Sequence, residues 1–328
     1  MISRRRFLVF LGGAGAMGAW WAGRRNALHA ARRVSWALGS DVRVTVLSED
    51  PRAAEEAAEA ALAEIETVDR VMSIHRPDSE VRRLDRDGSI DAPHRCLVEI
   101  LDRARRMSER SDGAFDVTVQ PLWEVHTEAK RAGGLPSEAS LDSARARVDW
   151  RKVVSTPGMV RLLAPGMAIT LNGIAQGFAA DRAAEALRVR GIRHALVDAG
   201  ELAPLGAKAN GEPWTAGIQH PRQPDAFIAL ARLDGRCLAT SGDYATAFTP
   251  DFSRNHLFDP GTGRSPPHFS SVTVAAPSGT DADALSTAIF VSGLERGLAL
   301  LETFPGADAL LVMKEGRTVA TRGFPRVS

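Results

Sequence analysis

"SSVTVAAPSGTDADALSTAIFVSGLERGLALLETFPGADALLVMKEGRTVAT", residues 270–321, carries both kinds of regular structure in one run. Val272 and Val274 mark a short strand, the apolar stretch 282–304 predicts one long helix, and the runs either side of Glu315-Gly316 predict a closing hairpin. Strand, helix and hairpin in that order are not the regular βαβ alternation of a doubly wound sheet. They point to an α+β protein with mixed or antiparallel sheets, hairpins and packed helices. Within the same run Asp283 and Thr287 stand one helical turn apart near a helix start. A carboxylate and a hydroxyl on one face suit a hard cation, but an aspartate there also caps orphan N–H groups and complements the helix dipole, and the pair alone favours the cap.

Working back towards the N-terminus, "DVRVTVLSED" alternates valines as a half-buried strand does, and "PRAAEEAAEAALAEIETVDRVMS" continues it as a long amphipathic helix with proline at its start. A second helix is predicted over residues 93–110, with Leu97, Leu101 and Ala104 inward. Residues 127–149 turn polar around Gly133-Gly134 and predict a surface excursion. "ALVDAGELAPLG" predicts a strand running into a turn, and "FIALARLDGRCLATSG" a hairpin across Asp234-Gly235, a dipeptide that tolerates the positive φ of a tight turn. No internal repeat is visible, so one compact domain is expected over residues 31–328.

The first 30 residues read differently. Three arginines at 4–6 precede an uncharged stretch from Phe7 to Gly23 with five glycines, followed by Arg24 and Arg25. That is a signal peptide, too short and glycine-rich in its apolar part for a membrane span. Ser3-Arg4-Arg5-Arg6-Phe7-Leu8 is similar to the twin-arginine signal, which exports folded proteins, with a general secretory signal as the alternative. Cleavage is expected near Ala30. The predicted location is the periplasm, free or held at the inner membrane.

The 41 lysines and arginines against 40 acidic residues give a formal charge of +1, with the arginines scattered, which argues against a nucleic-acid partner. Cys96 and Cys237 lie far apart in apolar settings without metal-type spacing, so buried free thiols are expected and a disulfide stays open.

Three loops carry more polar groups than a bare turn needs. In "SDGAFDVTVQPLW" (111–123), Asp112-Gly113 turns the chain and Asp116 follows an aromatic residue. In "ITLNGIAQGFAADRAAEAL" (169–187) a strand enters a helix through Asn172-Gly173, a geometry that suits a phosphate but lacks the lysine of a P-loop. In "RNHLFDPGTGR" (254–264) His256 precedes the tight turn Asp259-Pro260-Gly261, where Asp259 reads as an Asx turn and His256 as either a structural group or a base.

Taken together, "MSIHRPDSEVRRLDRDG", "DGAFDVTVQPLW", "LNGIAQGFAADRAAEAL", "ALVDAGELAPLG", "LATSGDY", "HLFDPGTGRSP", "SVTVAAPS" and "ADALSTAIFVSG" occur in an order that resembles the ApbE family of FAD:protein FMN transferases. The resemblance runs from about Trp36 to Glu302. It implies an enzyme that takes FAD with Mg²⁺, breaks the diphosphate, joins FMN through a phosphoester to a Thr or Ser of a target flavoprotein, and releases AMP. It places the metal on Asp283, Thr287 and the Gly173 carbonyl, and the general base on His256. Flavin-nucleotide contacts fall on Ala114, Phe115, Asp116, Thr170, Gln176 and Leu257, with Leu38 and His75 packing on ring faces. The chain departs from the family pattern at Leu38-Gly39-Ser40 (commonly Met-Gly-Thr), His75 (tyrosine), Gln176 (lysine), Asn255 (histidine) and Asp198-Ala199-Gly200-Glu201 (a more glycine-rich stretch). A NosX-like periplasmic subgroup, serving the membrane flavoprotein of nitrous oxide reduction, is the expected acceptor context. FAD pyrophosphatase and a periplasmic flavin-binding carrier are the alternative functions.

Overall fold

The computed structural model describes residues 28–327. The signal-peptide reading of residues 1–27 lies outside them. Ala30, the expected cleavage point, pairs with Leu47 inside the first strand, β1 (His29–Ala37), a strand the sequence reading did not anticipate. It turns into β2 (Ser40–Ser48) through Leu38 and Gly39, at φ 52° and 79°. Two successive positive φ angles are what a two-residue primed turn demands, and Leu38 adopts one without glycine's freedom. Asp69 Oδ1 accepts the Leu38 N–H at 2.7 Å and holds the turn in place.

Helix α1 (Pro51–Met72) follows as expected, with Asp50 at its N-cap and Pro51 at its start. Next come α2 (Glu80–Asp87), β3 (Ser89–Asp91) and α3 (Arg95–Arg110), whose Leu97, Leu101 and Ala104 are buried as the periodicity predicted. The polar stretch 127–149 is on the surface but is largely helical. It holds the end of α4 (Gln120–Arg131) and α5 (Glu138–Arg145), the latter capped by Ser137. Short strands β4 (Val153–Ser155) and β5 (Met159–Leu162) join β3 in a small sheet.

The second half adds α6 (Ala175–Val189), then β6 (His194–Asp198) and β7 (Leu202–Leu205), which pair as a hairpin. A separate two-stranded unit is formed by β8 (Trp214–His220) and β9 (Gln223–Leu233). The expected hairpin across Asp234-Gly235 does not form. β9 pairs with β8, while β10 (Cys237–Gly242) pairs with β7 and β11 (Phe269–Ala276). The turn at Gly235 carries the chain from one layer into another, because β10 is buried along its whole length and belongs inside the large sheet. Arg236 secures the crossing through hydrogen bonds to Asp234 and Asp308.

The predicted long helix 282–304 is two helices, α7 (Gly279–Ser292) and α8 (Leu294–Glu302). Gly293 separates them at φ 79°, a conformation that ends a helix. The hairpin β12 (Asp308–Met313) and β13 (Thr318–Ala320) closes the chain as expected.

Eight strands form one sheet in the order β1-β2-β6-β7-β10-β11-β12-β13, and every pairing is antiparallel. One face packs through Val44, Val46, Val197, Ala239 and Val274 in a core shared with α1, α3, α6 and α7. The other face buries Leu196, Leu202, Leu238 and Leu310 against Trp214 and Ile218 of the β8–β9 hairpin. Both cysteines are buried free thiols, and burial raises the pKa of each. No described helix is long and apolar enough to cross a membrane.

Candidate active site

Helices α6 and α7 cap each other. The N-cap residue of α6 is Ile174, which offers no side-chain acceptor. Asp283 of α7 supplies one instead, its Oδ2 accepting the Gly177 N–H at 3.0 Å. In return Asp181 of α6 accepts the N–H groups of Gly279 and Thr280 at 2.7 and 2.9 Å, and the Ser278 and Thr280 hydroxyls. Asp283 is therefore not the cap of its own helix, a place taken by Ser278. It serves the neighbouring helix and is 1% exposed.

Close approach makes this exchange possible. A Cβ on Gly177 would fall on the Gly279 carbonyl and lie 2.8 Å from the Asp283 Cβ, so only glycine fits. The same docking brings α7 against the loop before α6. A Cβ on Gly173 would stand 3.0 Å from Thr287 Oγ1 and 3.4 Å from the Phe115 ring. Thr287 Oγ1 shares a 3.0 Å hydrogen bond with Ser241 Oγ, which in turn meets Ser286 Oγ at 2.8 Å.

Thr287 and Gly173 open onto a cavity of about 470 Å³. Its wall gathers chain from the β1–β2 turn, the end of α1, the loop after α3, the loop before α6, and residues 245–258. Leu38, His75, Ala114, Phe115, Asp116, Thr170, Gly173, Gln176, His256, Leu257 and Thr287 all line it. Of the expected site residues, Asp283 alone sits behind the wall. The sequence reading missed Trp36, Trp123 and Arg131, which also line the cavity. Trp36 is 53% exposed on β1, in a part of the chain given no fold reading, and Arg131 ends α4 where a loop was expected.

Each wall residue is held by its own network. The two Asp116 oxygens accept the Thr118 N–H at 2.7 Å, the Thr118 hydroxyl at 2.6 Å and the Trp150 N–H at 3.2 Å, and burial raises its pKa. It shapes the loop that presents Ala114 and Phe115. Thr170 is tied through its backbone N–H to the Val117 carbonyl at 2.7 Å. Gln176 Nε2 donates to Ser40 Oγ at 3.1 Å and joins the β1–β2 turn to α6. His75 packs over Gly39, and burial lowers its pKa against the opposing pull of Asp69, which favours the neutral ring.

His256 takes part in a small hairpin, its backbone N–H donating to the Thr246 carbonyl at 3.0 Å. Its Nδ1 also lies 3.3 Å from that carbonyl. A proton on Nδ1 directed at this oxygen leaves Nε2 as the basic nitrogen. Asp259 forms the Asx turn expected of it, accepting the Gly261 N–H at 2.9 Å and the Thr262 hydroxyl at 3.0 Å.

The donor set around Gly173, Asp283 and Thr287 consists of hard oxygens with a single carboxylate. Such a set fits Mg²⁺, which keeps several waters and is completed by substrate phosphates. Among the described residues no cluster of three His, Cys, Asp or Glu side chains forms the nitrogen and sulfur cage that zinc prefers.

The ApbE family model matches residues 38–311. The chain is 35% identical to the FAD:protein FMN transferase of Treponema pallidum, covering 89% of this chain and 86% of that one. It is 30% identical to the FAD:protein FMN transferase of Salmonella typhimurium, with 87% and 84% covered. Among solved structures, the ApbE protein of Thermotoga maritima aligns with a TM-score of 0.79 at 29% identity, over 91% of this chain and all of that one. The apo flavinyl transferase ApbE of Pseudomonas stutzeri aligns at 0.77 and 31% identity, over 90% and 95%. With the matched span reaching from Leu38 past Thr287, and so across all of the cavity wall but Trp36, the chain belongs to the ApbE family.

Proposed function

We propose that this protein is an FAD:protein FMN transferase that joins FMN from FAD to a Thr or Ser hydroxyl of a target flavoprotein and releases AMP. The observation that carries the reading is one cavity lined by Gly173, Thr287 and His256, with the buried Asp283 carboxylate on the same helix as Thr287. Asp283, Thr287 and the Gly173 carbonyl would hold Mg²⁺, which when bound neutralises charge developing on the diphosphate. The β1–β2 turn, His75, Phe115 and Leu257 give ring-sized apolar surface for flavin or adenine, and Arg131 offers a cation at the rim. His256 Nε2 accepts the proton of the acceptor hydroxyl as its oxygen forms the new bond to the flavin-side phosphorus. The bond from that phosphorus to the bridging oxygen breaks, and AMP leaves with this oxygen. Positioning and electrostatics supply most of the acceleration in such transfers.

The acceptor faces the periplasm in this reading, and the membrane flavoprotein of nitrous oxide reduction is the candidate to test first. Support comes from the arginine-led N-terminal segment. Incubating the protein with FAD, Mg²⁺ and that acceptor should give a fluorescent flavin band on a denaturing gel and one AMP per label. AMP and free FMN without a labelled protein would instead identify a pyrophosphatase. Bound FAD that stays intact would identify a carrier.

A further inference from the structure

Outside the cavity, the most heavily organised polar cluster surrounds Asp243, at the end of β10. Its side chain is fully buried, and Arg222 grips it with two hydrogen bonds of 2.7 Å while Lys314 Nζ pairs with Oδ2. Arg222 comes from the β8–β9 turn and Lys314 from the β12–β13 turn, so two layers of the fold send a cation to one carboxylate. Removing either cation from a fully buried carboxylate is costly.

The same two cations reach a second point. Lys314 Nζ donates to the Phe252 carbonyl at 2.9 Å, and the Arg222 guanidinium lies 4.2 Å over the Phe252 ring. Phe252 is at φ 61°, a conformation a bulky side chain adopts only when its surroundings impose it. It forms the tip of the hairpin that begins just after Asp243. Across that hairpin the Phe248 N–H donates to the Arg254 carbonyl, Ala247 bridges Asn255, and the His256 N–H donates to the Thr246 carbonyl. Thr246 and His256 are the rungs that face the cavity.

We infer that Arg222, Asp243 and Lys314 form a clasp that ties the base of the 244–256 hairpin to its tip and thereby sets the His256 ring against the cavity. The three are positioning residues, and the inference rests on the reading of His256 as the proton acceptor. Little freedom is tolerable at such a ring, since a misplacement of about 1 Å can cost roughly a hundred-fold in rate.

Lys314→Met tests it. The substitution keeps the aliphatic stem and leaves Asp243 its two bonds from Arg222. Two readouts are needed. Amide hydrogen exchange of the native protein should speed up at least about ten-fold over residues 244–256, including the His256 amide that bonds Thr246, and stay unchanged in α1 and β11. This arm requires no activity, so it stands even if flavin transfer fails in the parent protein. In turnover, kcat should fall about ten- to a hundred-fold while the FAD concentration for half-saturation moves less than about three-fold. Lys314→Arg should restore most of kcat. In a His256→Ala background the Lys314→Met change should cost nothing further. Unchanged exchange in the hairpin, exchange accelerated equally everywhere, or a full additional loss in the His256→Ala background would each overturn the clasp.

Discussion

Asp283 is a cap, but of the neighbouring helix α6 rather than of its own, and the ligand role proposed for it remains to be tested. Asp283→Asn keeps an oxygen for the Gly177 N–H and removes the charge that a hard dication needs. We expect the melting temperature to hold while Mg²⁺-dependent AMP release falls by more than the roughly 10- to 100-fold typical of outer-shell partners. Thr287→Val should raise the Mg²⁺ concentration for half-maximal release. A melting point that drops with activity at unchanged metal requirement would make the carboxylate a cap and nothing more. Asp85 offers a test in pH. Burial pushes its carboxyl up to about 7 from 3.8, only partly offset by the Ile169 N–H and by Arg82. The native state then keeps a proton that the unfolded chain releases, so this stabilising contribution is complete below about pH 4 and is lost as pH rises through 7. Thermal melts of Asp85→Asn should show a flatter pH profile, with the variant gaining on the wild type by about 1.4 kcal/mol per pH unit within that window. Three polar loops drew attention to Asp116, Gly173 and His256, and the resemblance to the ApbE family placed the other expected cavity residues, Leu38 and His75 among them. Trp36 and Arg131 carried no such signal, and Trp123 closes the first of those loops without being singled out, since an aromatic or a cation on an ordinary strand or helix looks the same whether it faces solvent or a cavity.

Among the elements, those with a strong period read well from sequence: β2, α1 and α3 lie where alternation and three-to-four spacing put them. The failures are of pairing and continuity. Asp234-Gly235 makes a turn, but which strand accepts β10 is decided by burial on both faces, a property of the whole sheet. Gly293 breaks the apolar run 282–304 because Leu294 to Glu302 must turn to pack on α7, and composition alone does not show that turn. The α6–α7 joint was equally hidden, since Gly177 looks like a tolerated helical glycine until Gly279 is placed against it. Gly177→Ala should force the two helices apart, costing about 1–3 kcal/mol or more in denaturant unfolding and weakening Mg²⁺ dependence together with stability. A neutral effect on both would mean the helices have slack that the close contact does not suggest.

For the whole molecule, the sheet stands between two cores, and segments from both halves of the chain meet at one cavity, so the site exists only once the chain has folded as a unit. The proposed twin-arginine export has its own test. Replacing Arg4 and Arg5 by lysine should leave the precursor in the cytoplasm on fractionation, because a twin-arginine receptor reads the guanidinium pair and a general secretory signal needs only positive charge. Undiminished export would place the protein on the general route.

The cavity wall also has an optical consequence. Two of the chain's six tryptophans, Trp36 and Trp123, border it on different segments. Indole emission overlaps flavin absorption, so a bound isoalloxazine ring will drain light from both, and the protein reports its own occupancy without any label. Titration with FAD should quench intrinsic fluorescence, and Trp36→Phe with Trp123→Phe should reduce that quenching, with Trp150, whose backbone N–H reaches Asp116 of the wall, carrying much of what is left.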